Sequence, residues 1–380
     1  MRQRGVVTSF SLWSQDGFAR RGAYRTALHG TFQTPAFMPV GTKASVKGID
    51  HERLREAGTE ITLVNTYHLH LRPGSELIGA VGGIHRFCSW EGPILSDSGG
   101  YQVFSLQSIR SISEEGVRFR SHLDGAEIVL SPEKSIAIQE ELGVDIAMAF
   151  DECPPGDLDY DGAARSLERT LRWEQRSAAA RARPATALFG ITQGGSHREL
   201  RTHAIEALTQ VGFDGYAIGG LSVGEPQEVM YEVLSYHPHQ LPASHVRYLM
   251  GVGTPEDIVE AVSQGVDLFD CVMPTRAGRF GRAFLTGEHP YLNIRNACWA
   301  RYEEPLDRSC RCLACRRYSR AYLHHLFKAE EMLGPQLLSL HNLTHYLSLM
   351  QSIRSAIETR SFSGLYHEVR TRWRAGKEQR

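Results

Sequence analysis

The sequence has little that would place the protein in a membrane or outside the cell. No apolar run approaches the roughly 20 residues that a membrane-spanning helix requires, and the N-terminus lacks a signal-peptide pattern. The seven cysteines are an odd number, and the four before residue 300 (Cys88, Cys153, Cys271 and Cys298) stand alone, which argues against a disulfide framework. We therefore expect a cytoplasmic protein with reduced thiols and no membrane partner.

The chain also has no large excess of positive or negative charge. The net charge of −1 over 380 residues gives no electrostatic indication of a partner for the molecule as a whole. The chain is 42% hydrophobic and 22% charged, which is ordinary for a globular protein. Its length allows a substantial core in one large domain or two ordinary ones.

Short apolar stretches alternate with helical patterns along most of the chain. The predicted strands are 35–40, 61–65, 93–96, 144–150, 187–192, 215–219, 246–250 and 266–271. The predicted helices are 132–142, 162–183, 197–211, 227–235 and 255–263. This alternation implies parallel pairing, and eight such strands predict an α/β fold, a closed (β/α)8 TIM barrel. An open doubly wound sheet is the alternative, but the phosphate-binding glycine fingerprint after an early strand is missing.

Three further segments have their own patterns. The N-terminus predicts a β-ribbon with strands 5–13 and 23–31 and a turn at 15–17. Residues 117–130 predict a hairpin insertion with its turn at Asp124 and Gly125. Residues 333–362 have helical periodicity, and residues 370–380 predict a basic, frayed terminus.

Acids, an amide and glycines follow the predicted strands. These strand-end segments are 97–101, 151–153, 193–195, 219–221, 251–253 and 270–271. Active sites of barrel enzymes lie at the C-terminal ends of the strands, and glycine lets the backbone approach a flat ligand closely. The pattern therefore predicts a ligand site at this end of the barrel.

Asp97 and Asp270 are the candidate pair for acid–base or nucleophilic chemistry. A carboxylate can attack a sugar C1 and form a covalent ester while a second acid moves the proton. Alternatively, either aspartate only orients or caps backbone groups, and spacing does not decide between these roles. Asp151 and Gln193 can read the donor and acceptor edges of a base, while Tyr101 or Met250 covers its face. Singly, each of these residues is equally consistent with an ordinary core or capping role.

Arginine is concentrated after the last predicted strand. Residues 272–320 contain ten arginines and four acidic residues. Arg276, Arg279 and Arg282 follow Asp270 and are spaced by glycines, which predicts a flexible basic loop. Scattered arginines usually only solvate a surface, but this local excess beside the predicted site favours a phosphate-binding face.

Cys310, Cys312 and Cys315 place three thiols within six residues. In a reducing compartment this spacing indicates a tetrahedral zinc site that needs one more ligand. The candidate fourth ligands are His324, His325, His341 and His345, and spacing does not choose among them. Four protein ligands would make the site closed and structural; the alternative is three unligated thiols packed as small apolar groups.

Several long segments together resemble the queuine tRNA-ribosyltransferase family of bacteria, the tRNA-guanine transglycosylases. The matching segments, in chain order, are 97–102, 150–153, 192–195, 218–221, 251–257 and 269–276, together with the cysteine cluster. The resemblance extends from about Phe10 to Phe362. It implies a (β/α)8 barrel with an inserted C-terminal zinc-binding subdomain. It also implies exchange of guanine at the anticodon wobble position of the tRNAs for Asp, Asn, His and Tyr, which have GUN anticodons, for a 7-deazaguanine base.

The resemblance assigns roles to residues of this chain. Asp270 is implied as the nucleophile that links covalently to ribose, and Asp97 as the general acid/base. The implied base-binding residues are Asp97, Ser98, Gly99, Gly100, Tyr101, Asp151, Gln193, Gly220, Leu221 and Met250, of which Tyr101 and Met250 sandwich the ring. The implied RNA-binding residues are Gly251, Val252, Gly253, Thr254, Pro255, Glu256, Asp257, Thr275, Arg276, Ala277, Gly278 and Arg279. The implied ligands of one structural Zn2+ per subunit are Cys310, Cys312, Cys315 and His341.

The resemblance also predicts the organisation of the chain and its assembly. The predicted divisions are a β-ribbon at 1–33, a barrel catalytic core at 34–276, a zinc-binding subdomain with a closing helix at 277–362 and a basic tail at 363–380. Family members act as homodimers, because one tRNA docks across two subunits. The chain departs from the family pattern at Phe280, where an asparagine is usual.

The resemblance leaves the entering base and the catalytic state to be distinguished. Val223 stands where the eukaryotic pattern has glycine, and Cys153 follows the bacterial pattern. Both favour 7-aminomethyl-7-deazaguanine (preQ1) over the bulkier queuine, with the Leu221 carbonyl and the Glu225 carboxylate as acceptors for the ammonium group. The alternatives are a queuine-salvaging enzyme, a non-catalytic tRNA-binding subunit and a metal-dependent barrel hydrolase. Retention of both aspartates argues against the second, and the position of the metal cluster outside the barrel argues against the third.

Overall fold

Parallel strands form a ring at the centre of the molecule. The computed structural model describes residues 8–100, 110–156, 158–287 and 289–378. Within these residues the strands of the ring are β4 Ala36–Met38, β5 Val40–Gly41, β6 Thr62–Val64, β7 Ile94–Ser96, β11 Ile146–Met148, β12 Ala187–Thr192, β13 Gly215–Ile218, β14 Val246–Leu249 and β15 Leu268–Asp270. Their order around the ring is β4-β15-β14-β13-β12-β11-β7-β6-β5. The (β/α)8 prediction is confirmed, and each strand lies within its predicted stretch except for the last residue of β5.

The first barrel strand, which consists of the two segments β4 and β5, closes the ring because it pairs with a neighbouring strand on each side. Segment β4 pairs with β15, and segment β5, beyond Pro39, pairs with β6. The Pro39 carbonyl accepts a hydrogen bond from the Leu63 N–H at 3.1 Å. Proline lacks a backbone N–H and interrupts the ladder at this point, but its carbonyl continues the pairing with β6.

Helices cover the outer face of the ring. They are α1 His51–Glu56, α2 Thr66–Leu71, α3 Ser75–Ala80, α4 Ile84–Cys88, α5 Pro132–Leu142, α6 Tyr160–Ala180, α7 Arg198–Val211, α8 Gln227–Gln240 and α9 Pro255–Ser263. The predicted bounds of α5 and α9 are confirmed, since each begins with a Ser or Thr N-cap followed by proline. Helix α8 was predicted to end at residue 235, but it continues past Pro238 for one further half-turn. Across the described residues, the helices include none with both the length and the apolar character needed to cross a membrane.

The N-terminal ribbon closes the end of the barrel opposite the predicted site. It consists of β1 Ser9–Asp16, β2 Ala19–Arg25 and β3 Thr31–Thr34, paired antiparallel. The two-strand prediction was wrong about the second strand, because the chain reverses again where the Thr26 N–H bonds the Gly30 carbonyl. Tyr24 and Phe32 of the ribbon are buried with the residues that fill the barrel interior, such as Phe189. The ribbon thus supplies the floor of the barrel core.

A buried carboxylate fixes the ribbon to the barrel. Asp145, just before β11, accepts hydrogen bonds at 2.9 Å from His29 Nδ1 and at 3.0 Å from His85 Nε2. The two imidazoles are stacked, with ring centroids 3.5 Å apart. The Ile94 N–H also donates to this carboxylate. One side chain therefore joins the ribbon, helix α4 and two barrel strands.

A small antiparallel sheet is inserted after β7. Its strands are β8 Arg110–Ile112, β9 Val117–Arg120 and β10 Glu127–Leu130. The predicted hairpin at 117–130 is confirmed by the pairing of β9 with β10, and β8 adds a strand that was not predicted.

The C-terminal part has a core of its own beside the barrel. After β15 come α10 Met273–Arg279, β16 Arg282–Phe284, β17 Tyr291–Asn293, a 3₁₀ turn at Ala297–Trp299, α11 Leu313–Arg317, α12 Arg320–Lys328, α13 Leu333–Glu358 and α14 Phe362–Glu378. The predicted flexible basic loop is wrong, because residues 273–279 form helix α10 with Pro274 in its first turn. The predicted frayed terminus is also wrong for residues 370–378, because Val369 and Trp373 are buried and Tyr366 donates a hydrogen bond to Glu260 of α9. The predicted division of the chain into 1–33, 34–276, 277–362 and 363–380 stays a prediction.

Helix α10 lies directly against the long helix α13. A Cβ added to Gly278 would lie 2.6 Å from the backbone nitrogen of Ser339. The Ser339 hydroxyl donates to the Thr275 carbonyl, and the Asn342 amide donates to the Pro274 carbonyl. Because Gly278 has no side chain, the backbones of α10 and α13 approach closely, and the Ser339 and Asn342 side chains can reach the α10 carbonyls.

We predict that Gly278→Ala destabilises the fold although alanine favours helices. The new methyl group must push α10 away from the α13 backbone, which should lower the free energy of unfolding by roughly 1–3 kcal/mol. Gly364→Ala in α14 is the matched control, because nothing lies within 4 Å of its Cβ position, and it should raise stability by up to about 1 kcal/mol. Urea denaturation of both variants measures the difference. Equal stabilities would contradict the close helix contact.

Candidate active site

A cavity of about 340 Å³ lies at the C-terminal ends of the barrel strands. The predicted site residues that line it are Asp97, Ser98, Asp151, Gln193, Gly220, Leu221, Met250, Gly251 and Asp270. The structure therefore brings together side chains separated by up to 173 positions in sequence (270 − 97). Tyr101 lies outside the described residues. Gly99 and Gly100 are not among the described residues that line the cavity, and a Cβ on Gly100 would be 2.9 Å from the Asp151 carbonyl oxygen.

Asp270, the last residue of β15, is held through one of its two oxygens. Its Oδ1 accepts hydrogen bonds from the Tyr248 hydroxyl at 2.6 Å and from the Gly251 N–H at 2.8 Å. Burial raises the pKa of this carboxyl group, and the two hydrogen bonds oppose part of the increase. Neither bond involves Oδ2, so an attack through Oδ2 would leave both bonds intact.

Both carboxylate oxygens of Asp97 accept hydrogen bonds from residues at the start of helix α2. Its Oδ2 accepts from the Asn65 amide at 2.5 Å, and its Oδ1 accepts from the Thr66 N–H at 3.0 Å. Asn65 also caps α2 by accepting from the His68 N–H. The sequence predicted Asn65 only as the last residue of a strand. A polar residue at a strand end is, however, the same signal that identified the other site residues.

Asp151 and Gln193 form a buried hydrogen-bonded pair. The Gln193 Nε2 donates to Asp151 Oδ2 at 2.7 Å, and the Ser98 hydroxyl donates to Oδ1 at 3.4 Å. Burial raises the pKa of Asp151 to about 6, against the lowering effect of the Gln193 bond. The Gln193 Oε1 is buried and has no hydrogen-bond partner among the described residues. An acceptor in that state is unfavourable, because burial has removed it from water without supplying a donor.

The loop after β13 requires glycine at residue 220. Gly220 has a φ of +64°, and a Cβ there would lie 2.3 Å from Gln193 Oε1. Five residues further on, the Glu225 carboxylate accepts hydrogen bonds from the N–H groups of Ser222 and, at 2.9 Å, Val223. The loop is therefore fixed by its own acid and leaves room for the Gln193 amide.

Arg201 was not among the site residues identified from the sequence. Its side chain fixes two strand-end loops. Its fully buried guanidinium donates to the carbonyls of Gly195 at 2.7 Å and Gly219 at 2.9 Å. Burial lowers its pKa to about 10, which still leaves it charged at neutral pH. The signal was present, because an arginine stands beside Leu200 and Ala204 on the buried face of α7.

The predicted RNA-binding residues fall into two groups. In the segment 251–257 only Gly251 is exposed, whereas Glu256 and Asp257 are 2% and 7% exposed. Asp257 accepts hydrogen bonds from Tyr231 and Thr254. A contact of Glu256 and Asp257 with RNA stays a prediction. In the second segment Thr275 and Gly278 are buried, Ala277 and Arg279 are half-buried and Arg276 is exposed.

The cysteine cluster is completed by His341. The ligand atoms of Cys310, Cys312, Cys315 and His341 all lie within 4.8 Å of one another. The Nδ1 of His341 is 3.3 Å from the Cys315 sulfur, and its Nε2 is 2.7 Å from the Phe284 carbonyl oxygen. Because Nε2 bonds a carbonyl oxygen, which can only accept, Nε2 must carry the ring proton. Nδ1 is then the nitrogen that is available as a metal ligand.

The other candidate histidines have different surroundings. His324 Nδ1 bonds the Ile294 carbonyl at 2.8 Å, and the ring of His345 stacks on Phe284. Within the described residues, the only histidine grouped with the three thiols is His341. The donor set of three soft sulfurs and one imidazole suits a tetrahedral metal ion.

Comparison with known proteins gives a consistent result. The family profile described as Queuine tRNA-ribosyltransferase matches residues 15–375. A protein named queuine tRNA-ribosyltransferase from Halothermothrix orenii is 56% identical over 340 residues, or 90% of each chain. Proteins of the same name from Symbiobacterium thermophilum and Nitrosomonas europaea are 52% and 54% identical, over 95% and 93% of this chain and 90% and 94% of their own. The chain belongs to the queuine tRNA-ribosyltransferase family of transglycosylase enzymes.

Proposed function

We propose that the enzyme exchanges guanine at the wobble position of tRNAs with GUN anticodons, those for Asp, Asn, His and Tyr, for preQ1 in queuosine biosynthesis. The observation that carries the proposal is the convergence of Asp97, Asp270 and the Asp151–Gln193 pair on one cavity. Two separately held carboxylates supply a nucleophile and a proton carrier. The buried acid–amide pair supplies the means to select a base.

Base recognition follows from the donors and acceptors of guanine. Guanine and 7-deazaguanines present N–H donors at N1 and at the exocyclic amine, which a carboxylate such as Asp151 accepts. They also present a keto oxygen, for which the Gly220 backbone N–H is a candidate donor. The half-buried Met250 lines the cavity and can cover a face of the ring. The place of Tyr101 opposite Met250 remains a prediction from family resemblance.

In the proposed first step, Asp270 Oδ2 attacks C1′ of the ribose. A C1′–O bond forms, the bond from C1′ to the guanine nitrogen breaks, and the bonding electrons leave with the base. Asp97 gives a proton to the departing ring nitrogen. In the second step Asp97 takes the corresponding proton from the entering base, whose nitrogen attacks C1′ and releases the Asp270 carboxylate. The Tyr248 and Gly251 bonds to Oδ1 persist throughout and orient the nucleophile.

Asp270→Asn is expected to abolish base exchange while tRNA binding persists. An amide is too weak a nucleophile to form the glycosyl ester, but its oxygen can still accept the two hydrogen bonds that hold the residue. Incorporation of labelled guanine into tRNA measures exchange, and equilibrium binding measures affinity. Asp124→Asn on the exposed hairpin is the control and should behave as wild type. Substantial exchange by the Asp270 variant would remove Asp270 from the nucleophile role.

Helix α10 supports an RNA substrate. It starts two residues after Cys271 and carries Arg276 and Arg279, and Arg279 has a pKa lowered by burial and by Arg276. Cations placed together in this way favour a polyanion such as the RNA backbone. We propose that two copies of the chain form a homodimer on one tRNA; family membership supports this part of the proposal.

We propose that the cluster of Cys310, Cys312, Cys315 and His341 binds one Zn2+ with a structural role. The ion would take no part in base exchange and would hold α11 and α13 together. The His341 Nε2–H donates to Phe284, so the ligand also anchors β16. Zinc binding would in this way stabilise the helix against which α10 packs.

Cys312→Ser should lower zinc content and stability together. Loss of one thiolate leaves an incomplete tetrahedron, and binding free energy at a structural zinc site contributes to folding. Elemental analysis and thermal unfolding are the measurements, with Cys298→Ser, an exposed cysteine outside the cluster, as the matched control. A metal-free variant with wild-type stability would contradict the structural role.

The entering base is proposed to be preQ1 because Val223 narrows the cavity. Val223 and Cys153 both line it, and Glu225 holds the Val223 backbone in place. A queuine ring would need volume that the valine occupies, at a penalty of roughly 1–3 kcal/mol. The Leu221 carbonyl and the Glu225 carboxylate can accept from the ammonium group of preQ1.

Competition kinetics with unmodified tRNA-Tyr should show preQ1 used in preference to queuine. Val223→Gly should reduce this preference by at least about fivefold, the equivalent of about 1 kcal/mol. Equal or better use of queuine by the wild-type enzyme would favour the alternative of queuine salvage. Failure to exchange any base would favour the alternative of a non-catalytic tRNA-binding subunit.

A further inference from the structure

Phe280 is an aromatic residue without an apolar environment. Its side chain is 68% exposed, the largest value among the exposed phenylalanine, tyrosine and tryptophan residues of the described part of the chain. It directly follows Arg279, the last residue of helix α10, and stands one residue before Gly281, at the start of the turn into β16. A ring exposed to this extent contributes little to the core, so its position calls for a different explanation.

Phe280 lines a surface cavity that adjoins the active site. This second cavity has a volume of about 370 Å³, and its walls include Arg276, Phe280, Arg282 and Asn293. Cys271 and Val272, which follow Asp270 directly, line both cavities. A chain that places one of its units beside Asp270 can therefore extend its next unit toward Phe280.

The backbone that carries Phe280 is held on both sides. Its N–H donates to the carbonyls of Arg276 at 3.2 Å and Ala277 at 3.1 Å. Gly278 fixes the preceding turn against α13, as described above, and the Gly281 carbonyl accepts from the Ile294 N–H at 2.8 Å. The ring is thus presented from a fixed backbone, which reduces the entropy lost when a flat group packs on it.

The charges around Phe280 select the kind of partner. Arg276 and Arg282 are exposed and line the same cavity. No carboxylate of the described residues forms a salt bridge with either of them; Arg282 instead lies 5.0 Å from the Tyr291 ring. An apolar ring flanked by two such cations matches a nucleotide, which combines a flat base with an anionic phosphate. An apolar protein segment would leave both cations without a partner.

We propose that Phe280 stacks on the base of an unpaired nucleotide that flanks the exchanged nucleotide in the RNA substrate. This inference rests on the proposed tRNA function and adds a specific contact to it. The stacked base lies in the second cavity, with its phosphate near Arg276 or Arg282. Stacking tolerates any base, so Phe280 contributes affinity and positioning rather than sequence readout.

Equilibrium binding to an anticodon stem-loop RNA tests the contact. Phe280→Ala should weaken binding by roughly 5- to 150-fold, the range found for removal of one base–aromatic stack. Phe280→Trp should stay within about twofold of wild type, because it retains a flat π-face. Phe18→Ala is the matched control, since Phe18 is 58% exposed and its carbonyl lies beside Gly265 at the opposite end of the barrel. Unchanged affinity of Phe280→Ala would overturn the proposal.

Abasic substitution identifies the partner. RNAs that lack the base on the 5′ or the 3′ side of the wobble nucleotide are each combined with wild type and Phe280→Ala. If one of these bases stacks on Phe280, removing it should abolish most of the Phe280→Ala effect. If both abasic RNAs retain the full effect, the partner is not a flanking base and the proposal fails. Base exchange by the wild-type enzyme, measured alongside, separates this outcome from failure of the proposed function itself.

Discussion

The site depends on the closure of a ring of very short parallel strands. The barrel strands have between two and six residues each, so the residue after each strand is already at the rim. Closure requires the first barrel strand to pair on both sides: its segment β4 pairs with β15, and its segment β5 pairs with β6. Once the ring is closed, side chains distant in sequence face one cavity. The residues proposed to be catalytic are therefore held at the rim of a buried, regular parallel sheet.

A second constraint joins the C-terminal part to the barrel through helix α13. Within a few turns this helix supplies the metal-cluster residue His341, the contacts of Ser339 and Asn342 to α10, and the Tyr346 hydroxyl bond to the Gly253 carbonyl. Displacement of α13 would move the cluster, the basic helix and a strand-end loop of the active site together. A metal ion bound at the cysteine–histidine cluster would thereby affect the surface on which a large substrate would be positioned.

The sequence identifies the barrel because its strands are buried on both faces and read as short continuous apolar runs. It identifies Asp97, Asp151, Gln193 and Asp270 because polar residues at such strand ends are conspicuous. Other features depend on contacts between distant segments and could not be predicted. Helix α10 depends on α13, more than 50 residues later, and the last helix depends on burial against α9. The loop-fixing role of Arg201 emerges only when the strand-end carbonyls are brought together in space.

The unpaired oxygen of Gln193 bears on the base selection proposed for the cavity. Oε1 has no hydrogen-bond partner among the described residues, a condition that disfavours the ligand-free state by about 1–3 kcal/mol. Under the proposed function, a base that supplied the missing donor would remove this destabilisation, whereas a base of the same shape without the donor would retain it. Sites with buried hydrogen-bonding groups discriminate against such analogues more strongly than apolar pockets discriminate by size. Fidelity at this position would then come from an energetic defect of the empty protein that only the correct partner repairs.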